Sequence, residues 1–157
     1  MAGDTLFRVA ALNTAYAAAI DADRLEQWPA FFHADCLYKI TTAENVRRNL
    51  QAGIIYADSR GMLEDRVAAL RRANIYERHA YRHVIGMPSI LDEGADGIRA
   101  EAPFLVVRTM RDGQMSLFAA GEYRDVIRPD PQGALRFAER IVVCDSPRFD
   151  TLLAIPL

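Results

Sequence analysis

The sequence predicts an α+β fold: helices at the front, packed on one face of a curved, mostly antiparallel sheet built by the second half. Three observations carry the prediction. The opening residues place apolar side chains at helical spacing. From Tyr81 onward the pattern changes to long alternating runs. The joints between those runs are short and rich in turn formers, which favours antiparallel neighbours. At 157 residues the chain has the usual size of one domain, enough to bury about 70% of its unfolded-chain surface. No repeat, linker or low-complexity segment divides it, so residues 1–157 are read as a single domain.

Asp4 or Thr5 is a candidate cap for a first helix running to about Ile20. Leu6, Val9, Asn13, Tyr16, Ala17 and Ile20 share one face of it, and only Asn13 is polar. Asp21 and Asp23 offer a second cap for a short helix over "RLEQWPAFF", where Pro29 suits a first turn or a kink. "CLYKITT" alternates as a strand, "AENVRRNLQAG" is ambiguous, and "IIYAD" reads as a short strand. Asp58 or Ser59 then caps a helix over "RGMLEDRVAALRRAN". Leu63, Arg66, Val67 and Leu70 form its stripe, and the arginine is out of place there.

Four strands follow: "YRHVIGMPSIL", "IRAEAPFLVVRTMR", "QMSLFAAGEYRDVIR" and "ALRFAERIVVCDS". "DEGADG", "RDG" and "RPDPQG" join them. Asp112-Gly113 is a strong hairpin signal.

Composition narrows the function. A net charge of −2 argues against a general nucleic-acid binder. Lys39 is the only lysine among nineteen basic side chains, and the arginines suit forked ion pairs at buried or interfacial positions. Cys36 and Cys144 form no CxxC pair, and two free thiols fit a reducing cytoplasm. The first residues lack a basic signal-peptide region, and Arg8 and Asn13 interrupt their apolar run, so no membrane span is expected there.

Candidate sites concentrate in "DSRGMLEDRVAALRRANIYERHAYRHVIG". His79 and His83 stand four apart, a chelating spacing on a helix. In a strand the same spacing is about 13 Å, too far for one ion. Neither cysteine has a histidine two residues away, so the chain lacks the paired motifs of a Rieske centre. An acid–base pocket remains open, with Asp35, Asp58, Tyr38 and His83 as its groups. The remaining reading is a contact surface. Arg66, Arg71, Arg72, Arg78 and Arg82 are interleaved with Glu64, Asp65 and Glu77, and Arg66 on the apolar stripe is best served by a buried ion pair, internal or between subunits. The closing "FDTLLAIPL" is too apolar to fray in solvent and docks on its own sheet or a neighbour. No GxSxG, GxGxxG or P-loop occurs.

Taken together, "AYAAAIDADRLEQWPAFFHADCLYKIT", "YADSRGMLEDRVAALRRANIYERHAYRHVIGMPSI", "GEYRDVI" and "LRFAERIVVCDSPRFDTLLAIPL" resemble the small (beta) subunits of aromatic-ring-hydroxylating dioxygenases over nearly the whole chain. Within that family, "EQWPAFF", "YADS", "ANIYERH" and "DTLLAIPL" look most like the terephthalate-oxidising branch, with the salicylate hydroxylases second. The resemblance implies a cone-like fold of the nuclear transport factor 2 and scytalone dehydratase type. It implies a large (alpha) subunit holding a Rieske 2Fe-2S cluster and mononuclear Fe(II), and electrons from NAD(P)H through a reductase. It also implies an α3β3 hexamer on a small-subunit trimer, with no catalytic, cofactor or metal residue in this chain. Arg66, Arg78 and Arg82 are then ion-pair candidates for the subunit boundary. Two readings of other classes stand beside it. One is a stand-alone isomerase or dehydratase using Asp58, His83 and Tyr38; the other is a small-ligand binding module.

Overall fold

A computed structural model of the chain describes residues 2–73, 79–148 and 155–157. The elements run α1 (Ala2–Asp21), a 3₁₀ helix (Leu25–Phe31), β1 (Phe32–Thr42), α2 (Ala43–Arg47), β2 (Ile55–Ala57), α3 (Arg60–Ala73), β3 (His79–Ile85), β4 (Ser89–Gly94), β5 (Gly97–Met110), β6 (Met115–Pro129) and β7 (Leu135–Cys144). One sheet collects the strands in the order β2-β1-β7-β6-β5-β3, with β4 beside the other half of β5. All pairings are antiparallel except β1 with β7. That parallel pair needs a long crossover, and everything between β1 and β7 supplies it.

The helices cover one face. Helix α1 buries Val9, Asn13, Tyr16, Ala17 and Ile20, the stripe its spacing predicts. It begins at Ala2, so Asp4 and Thr5 sit inside its first turns and do not cap it; Thr5 instead donates to Glu93 of β4 at 2.8 Å. The second expected cap also differs. Arg24 occupies the position before the 3₁₀ helix and makes no side-chain cap bond. The ambiguous stretch opens with α2, capped by Thr42, whose side chain accepts from the Asn45 N–H. Ser59, not Asp58, accepts from the Met62 N–H at the start of α3.

The predicted strand "YRHVIGMPSIL" is two strands. The Gly86 N–H still bonds the Pro103 carbonyl in the β3–β5 register, but neither Pro103 nor Pro88 has an N–H to carry the ladder on. The chain therefore breaks at Gly86–Pro88, and β4 pairs further along β5. At the Asp112-Gly113 hairpin Gly113 has φ 89°, and the Asp112 carboxylate accepts from the Gln114 N–H.

Alternation along β5 turns Ile98, Ala100, Ala102, Phe104, Val106 and Arg108 inward. All of these but Arg108 join Tyr123, Ile127, Phe137 and Val142 in one hydrophobic cluster against the helices. Rings dominate its deep end: Tyr16 packs edge-on against Phe31, Phe32, Tyr123 and Phe137, and Trp28 lies edge-on to Phe32 and Tyr38. The residues Ile155 and Leu157 are buried against this cluster, so the end of "FDTLLAIPL" docks inside its own fold.

Candidate functional site

Three buried polar groups stand out from the apolar interior. The first joins the end of α1 to β3. Asp21 lies on the last residue of the helix, and one of its carboxylate oxygens accepts from the His83 backbone N–H at 2.8 Å. The other lies 2.6 Å from His83 Nδ1, and the imidazole is fully buried. His83 Nε2 has no hydrogen-bond partner among the described residues.

The second group is built on paired strands. Asp125 of β6 stands opposite Arg140 of β7 in register. Arg140 is fully buried and lies over three rings, its guanidinium carbon 3.8 Å from the Tyr123 centroid, 3.9 Å from Phe137 and 4.4 Å from Tyr16. It donates to both oxygens of Asp125, and through Nη2 to Asn13, the one polar residue of the α1 stripe. Burial pushes the Asp125 carboxyl upward, and Arg140 opposes that rise.

The third group is the deep end of the cone. Tyr16 and Tyr38 both donate to the backbone oxygen of Leu157, at 2.6 and 2.9 Å. Burial holds both phenols above their ordinary range, so they remain protonated donors at neutral pH.

A groove of about 520 Å³ opens at the C-terminal end of α1, lined by Ile20, Asp21, Leu70, Arg71, Tyr81 and Ile155 among others. Arg71 is anchored there by Asp23 and Glu26.

The groups expected to form an acid–base pocket do not meet. Asp35 and Asp58 are exposed at the surface, Tyr38 is engaged by Leu157, and the carboxylate partner of His83 is Asp21. Neither Tyr38, Asp58 nor His83 lines the groove among the described residues. His79 and His83 lie on one face of β3 with Tyr81 between them. Arg66 is partly buried, and desolvation pulls its guanidinium pKa down. Arg82 is exposed on the opposite face of β3, and Arg78 lies outside the described residues. Asn13 was visible in the sequence as the polar break in an apolar stripe. Asp125 and Arg140 carry a parity signal, since Asp125 falls two residues from Tyr123 and from Ile127, whose inward direction it shares. Nothing local links Asp21 to His83.

Among the described residues no group of three or more His, Cys, Asp and Glu side chains is gathered to hold an ion. Cys36 and Cys144 are free and buried, and burial pushes both thiols up, Cys144 to about 12. No helix among the described residues is long and apolar enough to cross a membrane.

Helices set against one face of a curved sheet, closed around an aromatic floor, define the cone-like α+β class. A solved structure from Novosphingobium aromaticivorans, described as a scytalone dehydratase, shares it: TM-score 0.71 at 15% identity, covering 99% of this chain and 95% of the other, which shows the fold alone. The chain belongs to the family described as the ring hydroxylating beta subunit, whose profile matches residues 15–150. It is 51% identical over 150 residues to the terephthalate 1,2-dioxygenase terminal oxygenase component subunit beta 1 of Comamonas sp, covering 96% of this chain and 97% of the relative. It is 39% identical to the anthranilate 1,2-dioxygenase small subunit of Burkholderia cepacia, covering 98% and 94%. A crystal structure from Novosphingobium aromaticivorans, of a beta subunit assigned to an aromatic-ring-hydroxylating dioxygenase, superposes with a TM-score of 0.91 at 40% identity over 99% of each chain. This protein is thus the small subunit of an aromatic-ring-hydroxylating dioxygenase, part of an oxidoreductase complex.

Proposed function

We propose that the chain is the structural, non-catalytic small subunit of a dioxygenase that cis-dihydroxylates terephthalate or a related aromatic carboxylate. In this reading it is one domain that works in the cytoplasm. It assembles with a large subunit as an α3β3 hexamer on a small-subunit trimer, and a reductase delivers electrons from NAD(P)H. The observation that supports the substrate class is the 51% identity to a terephthalate 1,2-dioxygenase beta subunit over nearly the whole of both chains.

Among the described residues the side chains do not fit either iron centre. The two cysteines are free and buried, no group of three or more His, Cys, Asp and Glu side chains gathers among the described residues, and Asp21 is the only carboxylate bonded to His83 among them. In this reading no redox step is routed through this chain. Its buried ion pairs and ring cluster fit a rigid scaffold, and Arg66, Arg78 and Arg82 are assigned to the helix-to-sheet corner or the subunit boundary.

The test is co-expression with the neighbouring large-subunit gene. The expected product is a brown, iron-containing hexamer that converts terephthalate to a cis-dihydrodiol, while the chain alone is colourless and inactive. Stoichiometric iron or turnover in the isolated, folded chain would overturn the assignment.

A further inference from the structure

The cone of this fold is filled by the chain itself. Leu157 is fully buried, and its backbone oxygen receives two phenol protons, from Tyr16 at 2.6 Å and Tyr38 at 2.9 Å. Its N–H in turn donates to the Tyr38 oxygen at 3.2 Å. The Trp28 indole and the Arg140 guanidinium lie beside the Tyr16 hydroxyl and hold it in place. Both side chains are fully buried. The rings of Trp28, Phe32 and Tyr38 stand around this point at centroid separations of 5.1 to 5.8 Å.

Two phenol donors converge on a single oxygen deep in an apolar interior. Burying them against hydrocarbon is costly, and the cluster is stable only around an acceptor oxygen. In this chain the main-chain oxygen of Leu157 takes that place. Flat aromatic walls with a few placed donors at one end form a site for a ring-bearing acceptor.

We propose that the floor of the cone is a binding site for a small planar ring carrying a carboxylate or amide oxygen, and that Ile155–Leu157 occupies it in cis as a self-ligand. The oxygen of such a molecule takes the place of the Leu157 oxygen between Tyr16 and Tyr38, and its ring takes the space of the Leu157 side chain. An occupant tethered to the same chain competes at an effective concentration of order millimolar or more. The site is consequently latent until the segment is displaced.

Trp28 is the only tryptophan, so its fluorescence reads the site in the isolated chain. Benzoate, and benzamide as its uncharged counterpart, are titrated into three forms. These are the full chain, the full chain carrying Leu157→Asp, which drives a charge out of the apolar cone, and a chain stopped at residue 154. The full chain is expected to need at least about tenfold more benzoate for half-saturation than either displaced form. Adding Tyr16→Phe or Tyr38→Phe to the Leu157→Asp form weakens benzoate about tenfold each, the loss of one hydrogen bond to a charged oxygen.

The proposal is overturned if a displaced form with a native far-UV spectrum shows no saturable change, or saturates without regard to either phenol. Should neither displaced form fold, the unaltered chain decides. High benzoate is expected to speed hydrogen exchange at the Leu157 amide, and unchanged exchange overturns the idea. None of these readouts involves the large subunit, so their failure is separable from failure of the assembly reading.

Discussion

Arg140 grips Asp125 with two parallel hydrogen bonds, Nε to Oδ1 at 2.9 Å and Nη2 to Oδ2 at 2.8 Å, inside a shell of aromatic rings. The two residues face each other across β6 and β7, so the pair locks the register of the central strands. Removing one partner strands a buried charge. Arg140→Met is expected to destabilise the chain by about 3–5 kcal/mol in urea unfolding. Arg140→Met with Asp125→Leu should recover most of that loss. A single-mutant cost under about 1 kcal/mol would show that the pair does not govern stability.

Gly121 of β6 lies opposite Cys144, and any Cβ there collides with the Val143 carbonyl oxygen of β7. The obstacle is backbone, which cannot swing aside. Gly121→Ala is therefore expected to cost about 3 kcal/mol and to lower the melting temperature by roughly 10 °C. A melting curve superimposable on that of the unaltered chain would refute the close approach.

Asp21 satisfies both the backbone N–H and the Nδ1 of a buried histidine, tying the end of α1 to β3. Asp21→Ala should cost about 2 kcal/mol, because hydrogen bonds to a charged group are lost and a buried N–H is orphaned. His83→Ala in the assembled oxygenase is expected to lower stability while leaving turnover per complex within about twofold. Abolished turnover with an intact, iron-loaded complex would instead favour a catalytic His83.

Alkaline titration gives a signed prediction. Burial raises the phenols of Tyr16, Tyr38 and Tyr123 above the ordinary value of 10.0. Below pH 10 they are neutral in folded and unfolded chains alike and contribute no pH dependence. Above it the unfolded chain releases protons that the folded chain retains, so stability falls as pH rises. Absorbance at the phenolate band should show these three tyrosines ionising only with unfolding. Their smooth ionisation in the native state would contradict their enclosure.

Arg82 projects from β3 beside Val84, opposite Val107 and Leu105 of β5, and both Arg82 and Val84 are exposed. Arg82→Glu is expected to leave the isolated chain within about 0.5 kcal/mol of its original stability. It should weaken recovery of the hexamer on size-exclusion. A full-size, fully active complex would remove Arg82 from the boundary.

The legible parts of this fold are those with local causes. Helix α1 is written in the spacing of Val9, Asn13, Tyr16 and Ile20, and the β5–β6 hairpin in Asp112-Gly113. The break at Gly86–Pro88 was harder to read because the apolar residues continue across it; Pro103, which faces Gly86 without an N–H to give, is remote in sequence. The partner of His83 was hidden for a similar reason. Asp58 follows β2 at the surface, while the carboxylate that reaches His83 comes from the far end of α1, 62 positions away.

Composition and periodicity alone were enough to determine an α+β chain with a helical front, a run of antiparallel strands and an arginine-rich middle, because hydrophobic burial and turn geometry act over a few neighbouring residues. Only the tertiary structure decided which charges pair and what fills the cone. The parallel β1–β7 contact, the Asp21–His83 and Asp125–Arg140 bonds, and the seat of Leu157 between two tyrosines all join residues remote along the chain. Their partners are selected by closure of the sheet around the helices, and no local pattern encodes that closure.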